Sequence, residues 1–93
     1  MFATIISLST IAQAQVPTLY LPVQASQSQG QNCMNFTTTN SSSTTVRNVM
    51  ANHRGSKGNL NQTYVTALLK SGQTASFKIC NSTLINVEAK QAN

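Results

Sequence analysis

The sequence predicts a small, mainly β domain with one α-helix and one disulfide. Three observations carry that expectation. Five short segments alternate apolar with polar residues, the period of a half-buried strand. One stretch, residues 61–71, spaces its apolar residues three and four apart, the period of a helix face. Two cysteines, Cys33 and Cys80, stand in a chain of 93 residues, and an even count in an exported chain implies a bridge.

Residues 1–14 (MFATIISLSTIAQA) carry no charge and end in Ala12-Gln13-Ala14, the small-x-small pattern a signal peptidase cleaves. No Lys or Arg precedes the apolar run, which departs from that pattern. A run this short does not span a bilayer as a helix; the alternative is a buried N-terminal element. Residues 15–93 then form one domain, secreted or periplasmic. It is near the lower size limit for a self-sufficient core, where a covalent staple helps. Two cysteines permit one intrachain pairing, Cys33 with Cys80, and the chain-entropy model gives it about 4 kcal/mol.

The elements follow in order. Residues 18–24 (TLYLPVQ) alternate as a strand, and Pro22 assigns it to an edge or a bulge because it has no N–H to donate. Residues 25–32 (ASQSQGQN) are a polar connection. Residues 33–38 form a second strand, 40–43 a polar turn, and 44–51 (TTVRNVMA) a third strand. Residues 52–59 (NHRGSKGN) hold two glycines and read as a loop. Residues 61–71 form the helix: Asn61 is a fitting N-cap, Leu60 and Val65 a staple, and Leu60, Tyr64, Val65, Leu68 and Leu69 one buried stripe. Gly72 ends it in a left-handed conformation. Residues 74–80 (TASFKIC) are a strand with Ala75, Phe77 and Ile79 on one face. Residues 83–89 are another, with Ile85, Val87 and Ala89 together, and Asn81-Ser82 joins the two as a C-terminal hairpin.

The order β-β-β-α-β-β is that of the oligonucleotide/oligosaccharide-binding (OB) fold, a small five-stranded barrel. An open meander sheet with one helix packed across it has almost the same order.

Residues 59–90 (NLNQTYVTALLKSGQTASFKICNSTLINVEAK) resemble the later half of bacterial toxin B subunits of the Shiga, subtilase-cytotoxin and pertussis-like group. Leu60, Leu68, Leu69, Gly72, Thr74, Phe77 and Cys80 stand at matching places. The resemblance implies a barrel that assembles into a ring, binds host glycans, and accompanies a catalytic partner subunit. It supplies no binding residues.

Charge and chemistry narrow the function classes. Six Lys+Arg face a single acid, Glu88, and the net charge is +5. With one His and one acid, no paired carboxylates for acid/base work can be assembled, so an enzyme is not expected. No spacing typical of a metal site occurs, and no cofactor is implied. Nucleic acid is disfavoured by export and by the scarcity of aromatic platforms for base stacking. The basic concentration His53, Arg54 and Lys57, with Arg47 nearby, is the candidate ligand-binding cluster, since a guanidinium forks onto a carboxylate or phosphate. The function expected is therefore a non-catalytic glycan- or surface-binding module working as a homo-oligomer. A structural subunit of a surface fibre is the alternative.

Overall fold

The computed structural model describes residues 16–28 and 32–92. The expected signal segment, residues 1–14, lies outside the described residues. Among those described, the chain forms seven strands and no helix: β1 (Thr18–Leu21), β2 (Val23–Ser28), β3 (Cys33–Thr39), β4 (Val46–Gly55), β5 (Leu60–Leu69), β6 (Thr74–Cys80) and β7 (Ser82–Gln91). All pairings are antiparallel. The strands divide into a four-stranded sheet, β1-β7-β4-β5, and a three-stranded sheet, β2-β3-β6. One core joins them, with Leu21, Val46, Val49, Ala51, Leu69, Val87 and Ala89 from the first sheet against Phe77 and Ile79 from the second. The mainly β expectation therefore takes the form of a two-sheet sandwich. Seven strands in two sheets replace the five-stranded OB-like barrel or meander.

The expected first strand is two strands broken at Pro22. Lacking an N–H, Pro22 ends the pairing of β1, and the chain passes from the edge of one sheet to the edge of the other. Its carbonyl accepts from Thr39 N (3.3 Å) and from the buried Thr38 Oγ1 (2.9 Å), which anchors the crossing. The polar stretch after it is not all connection, because β2 runs on to Ser28. Residues 29–31 of that stretch lie outside the described residues.

The expected helix is strand β5. Its residues satisfy two periods at once, and pairing with β4 selects the period of two. Leu69 is buried (4% exposed) while Leu68 beside it is open (61% exposed), so the two leucines do not share a buried stripe. The run Thr63-Tyr64-Val65-Thr66 is β-branched and aromatic, which suits a pleated surface better than a helix. Gly72 is left-handed as expected (φ +83°). However, it closes a turn in which Gln73 N donates to Lys70 O (3.0 Å), rather than capping a helix.

The expected C-terminal hairpin is absent from the pairings. β6 pairs with β3 and β7 pairs with β1 and β4, so Asn81, left-handed at φ +56°, turns the chain from one sheet to the other. The register shifts between Asn52 and His53, which pair with Asn86 and Leu84. That shift leaves Ile85 unpaired and exposed, while Val87 and Ala89 are buried as expected.

Cys33 and Cys80 face each other across β3 and β6 and are bonded, with a Cα–Cα distance of 4.0 Å and a sequence separation of 47. Such a bond is consistent with an oxidising, extracellular or periplasmic setting.

Candidate functional site

The outer face of the four-stranded sheet is assembled by register. Because side chains alternate, residues opposite one another across strands form rows on one face. One row is Thr18, Lys90, Arg47 and Leu68; the next is Tyr20, Glu88, Met50 and Tyr64. The third is Asn86, Asn52 and Gln62, and the fourth Thr83, Arg54 and Leu60. Five of the large apolar or aromatic side chains left exposed, namely Tyr20, Leu60, Tyr64, Leu68 and Ile85, belong to this sheet's outer surface.

The third row is an amide ladder. Asn52 Nδ2 donates to Asn86 Oδ1 (2.7 Å) and to Glu88 Oε1 (2.9 Å), and Asn52 Oδ1 accepts from Gln62 Nε2 (2.8 Å). Asn52 is thus held on both sides and locks its neighbours' rotamers. At the two ends of the ladder, Asn86 Nδ2 and Gln62 Oε1 have no protein partner among the described residues. They offer a donor and an acceptor about 10 Å apart, two strand spacings. Beside the ladder lies an open groove of about 670 Å³, lined by Leu60, Ile85, Asn52, Gln62 and Asn86 together with His53 and Asn61. Tyr20 and Tyr64 stand at opposite ends of the adjacent row, about 14 Å apart by three strand spacings. Glu88 between them is the chain's one acid.

The basic cluster expected from the sequence is placed differently. Residues 52–59 are not a loop. β4 continues to Gly55, and the reversal is a short turn in which Gly58 N donates to Gly55 O (2.9 Å) and Gly55 N to Asn59 O (2.8 Å). Gly58 is left-handed there (φ +87°), as such a hairpin requires. His53 therefore sits in a strand and faces the interior (9% exposed), with Nε2 bonded to Thr63 Oγ1 at 2.8 Å and Nδ1 buried without a partner. Arg54, next in the strand, points to the opposite face, where Nη1 donates to Gly58 O (3.2 Å). Lys57 is exposed on the turn. Strand alternation thus separates His53 from Arg54, and only Arg54 and Lys57 remain together at the surface. Arg54 also borders a second open groove of about 540 Å³ with Asn32, Ser56, Asn81 and Thr83.

Asn52 opens the stretch 52–59 that sequence reasoning favoured for binding, whereas Gln62, Asn86, Tyr20 and Tyr64 were not singled out as site residues. Applying a period of two to residues 60–68 would have placed Gln62 and Tyr64 on one outward face. The cross-strand neighbours that complete the ladder depend on register and carry no local signal. Comparison with protein-family models, with curated proteins and with solved structures gives no match.

Proposed function

We propose that this chain is a non-catalytic, exported binding module that recognises carbohydrate on the outer face of its four-stranded sheet. The observation that carries this reading is the amide ladder. A fixed row of Asn86, Asn52 and Gln62 leaves a donor and an acceptor open at its ends, along a groove, and the exposed Tyr20 and Tyr64 stand in the neighbouring row. Sugar hydroxyls both donate and accept, and the apolar face of a pyranose ring packs against aromatic rings, so this mixture of groups suits them. A sheet face held by side-chain bonds also loses little rotamer entropy on binding. Arg54 at the margin supplies a fork for a carboxylate-bearing sugar, and Lys57 adds charge nearby. The scarcity of acids and the single, inward-facing His53 support the non-catalytic part. The helix on which the likeness to toxin B subunits drew is a strand, so the proposal stands on the sheet face. The fibre-subunit alternative asks for open-ended pairing at both edges of a sheet, and β1 offers only four residues before Pro22.

Glycan-array binding by the oxidised chain tests the proposal. Binding is expected, with Tyr20→Ala and Tyr64→Ala each weakening it about 2- to 10-fold. Arg54→Ala should weaken acidic glycans selectively. No signal on any glycan at high protein density would overturn the reading.

A further inference from the structure

The four edge strands of the sandwich are not equally protected. β1 is four residues long and stops at Pro22; β2 loses its register between Ala25 and Ser28; β6 carries Lys78. Short length, proline, bulges and lysine all discourage a second chain from pairing. β5 is ten residues long and has no charged residue and no proline. Its pairing with β4 is regular from Leu60 to Tyr64 and then shifts, Met50 facing Tyr64 and Val49 facing Thr66. Among the described residues, the flat, open stretch is therefore Leu60–Tyr64.

We propose that this stretch pairs antiparallel with the same stretch of a second copy about a two-fold axis at Gln62, joining two four-stranded sheets into one of eight. The backbone phase fits. Gly55 N donates to Asn59 O across the hairpin, so alternation aims the N–H and C=O of Asn61 and Thr63 at β4. Those of Leu60, Gln62 and Tyr64 point away from the sheet. With Gln62 opposite Gln62 of the other copy, Leu60 falls opposite Tyr64 and Tyr64 opposite Leu60. All three positions present their open backbone groups to one another, enough for six hydrogen bonds.

The side chains agree with the same register. On the outer face, each exposed Leu60 meets an exposed Tyr64, an aliphatic–aromatic cross-strand pair. The two Gln62 side chains meet at the axis, so the ladder Asn86-Asn52-Gln62 of one copy continues into that of the other. On the inner-facing side Asn61 meets Thr63. No like charges are placed opposite one another, which matters in a chain of net charge +5. A self-complementary contact of this kind closes at two copies, and the short β1 edge at the far side of the sheet does not propagate it.

This inference does not rest on the carbohydrate reading, because its readouts contain no sugar. Sedimentation equilibrium of the oxidised chain should give twice the protomer mass. Hydrogen exchange should show the Leu60, Gln62 and Tyr64 amides slowed in proportion to the dimer fraction. Gln62→Pro removes a backbone N–H that points away from β4, along with the side-chain amide that bonds Asn52, and should weaken the dimer roughly 5- to 150-fold through the two backbone bonds lost at the axis. Gln62→Lys sets two ammonium groups face to face and should also shift the chain toward monomer. Exchange on the unsubstituted chain decides the matter should either variant fold poorly. A monomer at millimolar concentration would overturn the proposal. So would a dimer whose three amides exchange freely, a dimer untouched by Gln62→Lys, or a monomer that takes only an unrelated peptide along β5.

Discussion

Asn40 shows how much one residue contributes between the sheets. It is fully buried, yet every polar atom of its side chain is matched. Nδ2 donates to Thr44 O (2.8 Å) and Leu69 O (2.9 Å), while Oδ1 accepts from Ser42 N (3.0 Å) and from the Ser42 hydroxyl (2.6 Å). Its main chain bonds Gln73 and Gly72. The β3–β4 turn is thereby fastened to the β5–β6 turn. Asn40→Ala strips the buried Leu69 O of its side-chain donor and Ser42 N of its acceptor, while Thr44 O keeps the Ser42 hydroxyl (3.0 Å), and should cost about 2–4 kcal/mol in denaturant unfolding. His53 is the opposite case, since its buried Nδ1 has no partner. Removing the unmatched Nδ1 relieves its desolvation and offsets the loss of the Nε2–Thr63 Oγ1 bond, so His53→Leu should change stability by no more than about 1 kcal/mol, again read by denaturant unfolding. Sequence reasoning placed Asn40 in a turn but had no means of seeing its partners, which lie 29 and more positions away for Leu69 and Gln73.

At the scale of elements, β5 separates the two periodicities most clearly. A helix predicts that Leu68 and Leu69 are both buried, whereas the edge strand buries Leu69 alone. Leu69→Ala should therefore lose about 2–5 kcal/mol, and Leu68→Ala less than about 1 kcal/mol. Equal losses at both positions would restore the helical stripe. Gly72→Val should destabilise in either case, since φ +83° opposes a β-branched residue. Strands β3 and β6 were legible almost to the residue, β6 because its alternation is clean and β3 because its residues are strong β-formers. β5 was not, because Leu60, Tyr64 and Leu68 are apolar on a surface open to solvent, and that imitates a buried helical face.

For the whole molecule, the disulfide crosses from the third strand to the sixth and closes a loop of 47 residues around the elements between them. Cys33→Ser should cost about 2–5 kcal/mol, and an intact-mass and thiol titration of the purified chain should find no free thiol before reduction. The bond lies within the three-stranded sheet, so reduction should loosen β3 and β6 together. Hydrogen exchange after reduction should show those two strands, which the bond joins directly, losing protection ahead of β4 and β7 in the four-stranded sheet.

By itself the sequence determined the β character, the disulfide partners, the edge position around Pro22 and the left-handed conformation of Gly72. Each follows from local chemistry: alternation, an even cysteine count, a missing N–H, a missing Cβ. Only the tertiary structure decided that residues 60–69 are a strand and that β6 and β7 belong to different sheets. It alone turned His53 and Arg54 to opposite faces and set Asn86, Asn52 and Gln62 in one row. Those outcomes rest on register between strands far apart in the chain. A shift of one residue moves every side chain to the other face, and pairing energy with β4, rather than local propensity, chose the register that buries Val49, Ala51, Leu69 and Val87 together.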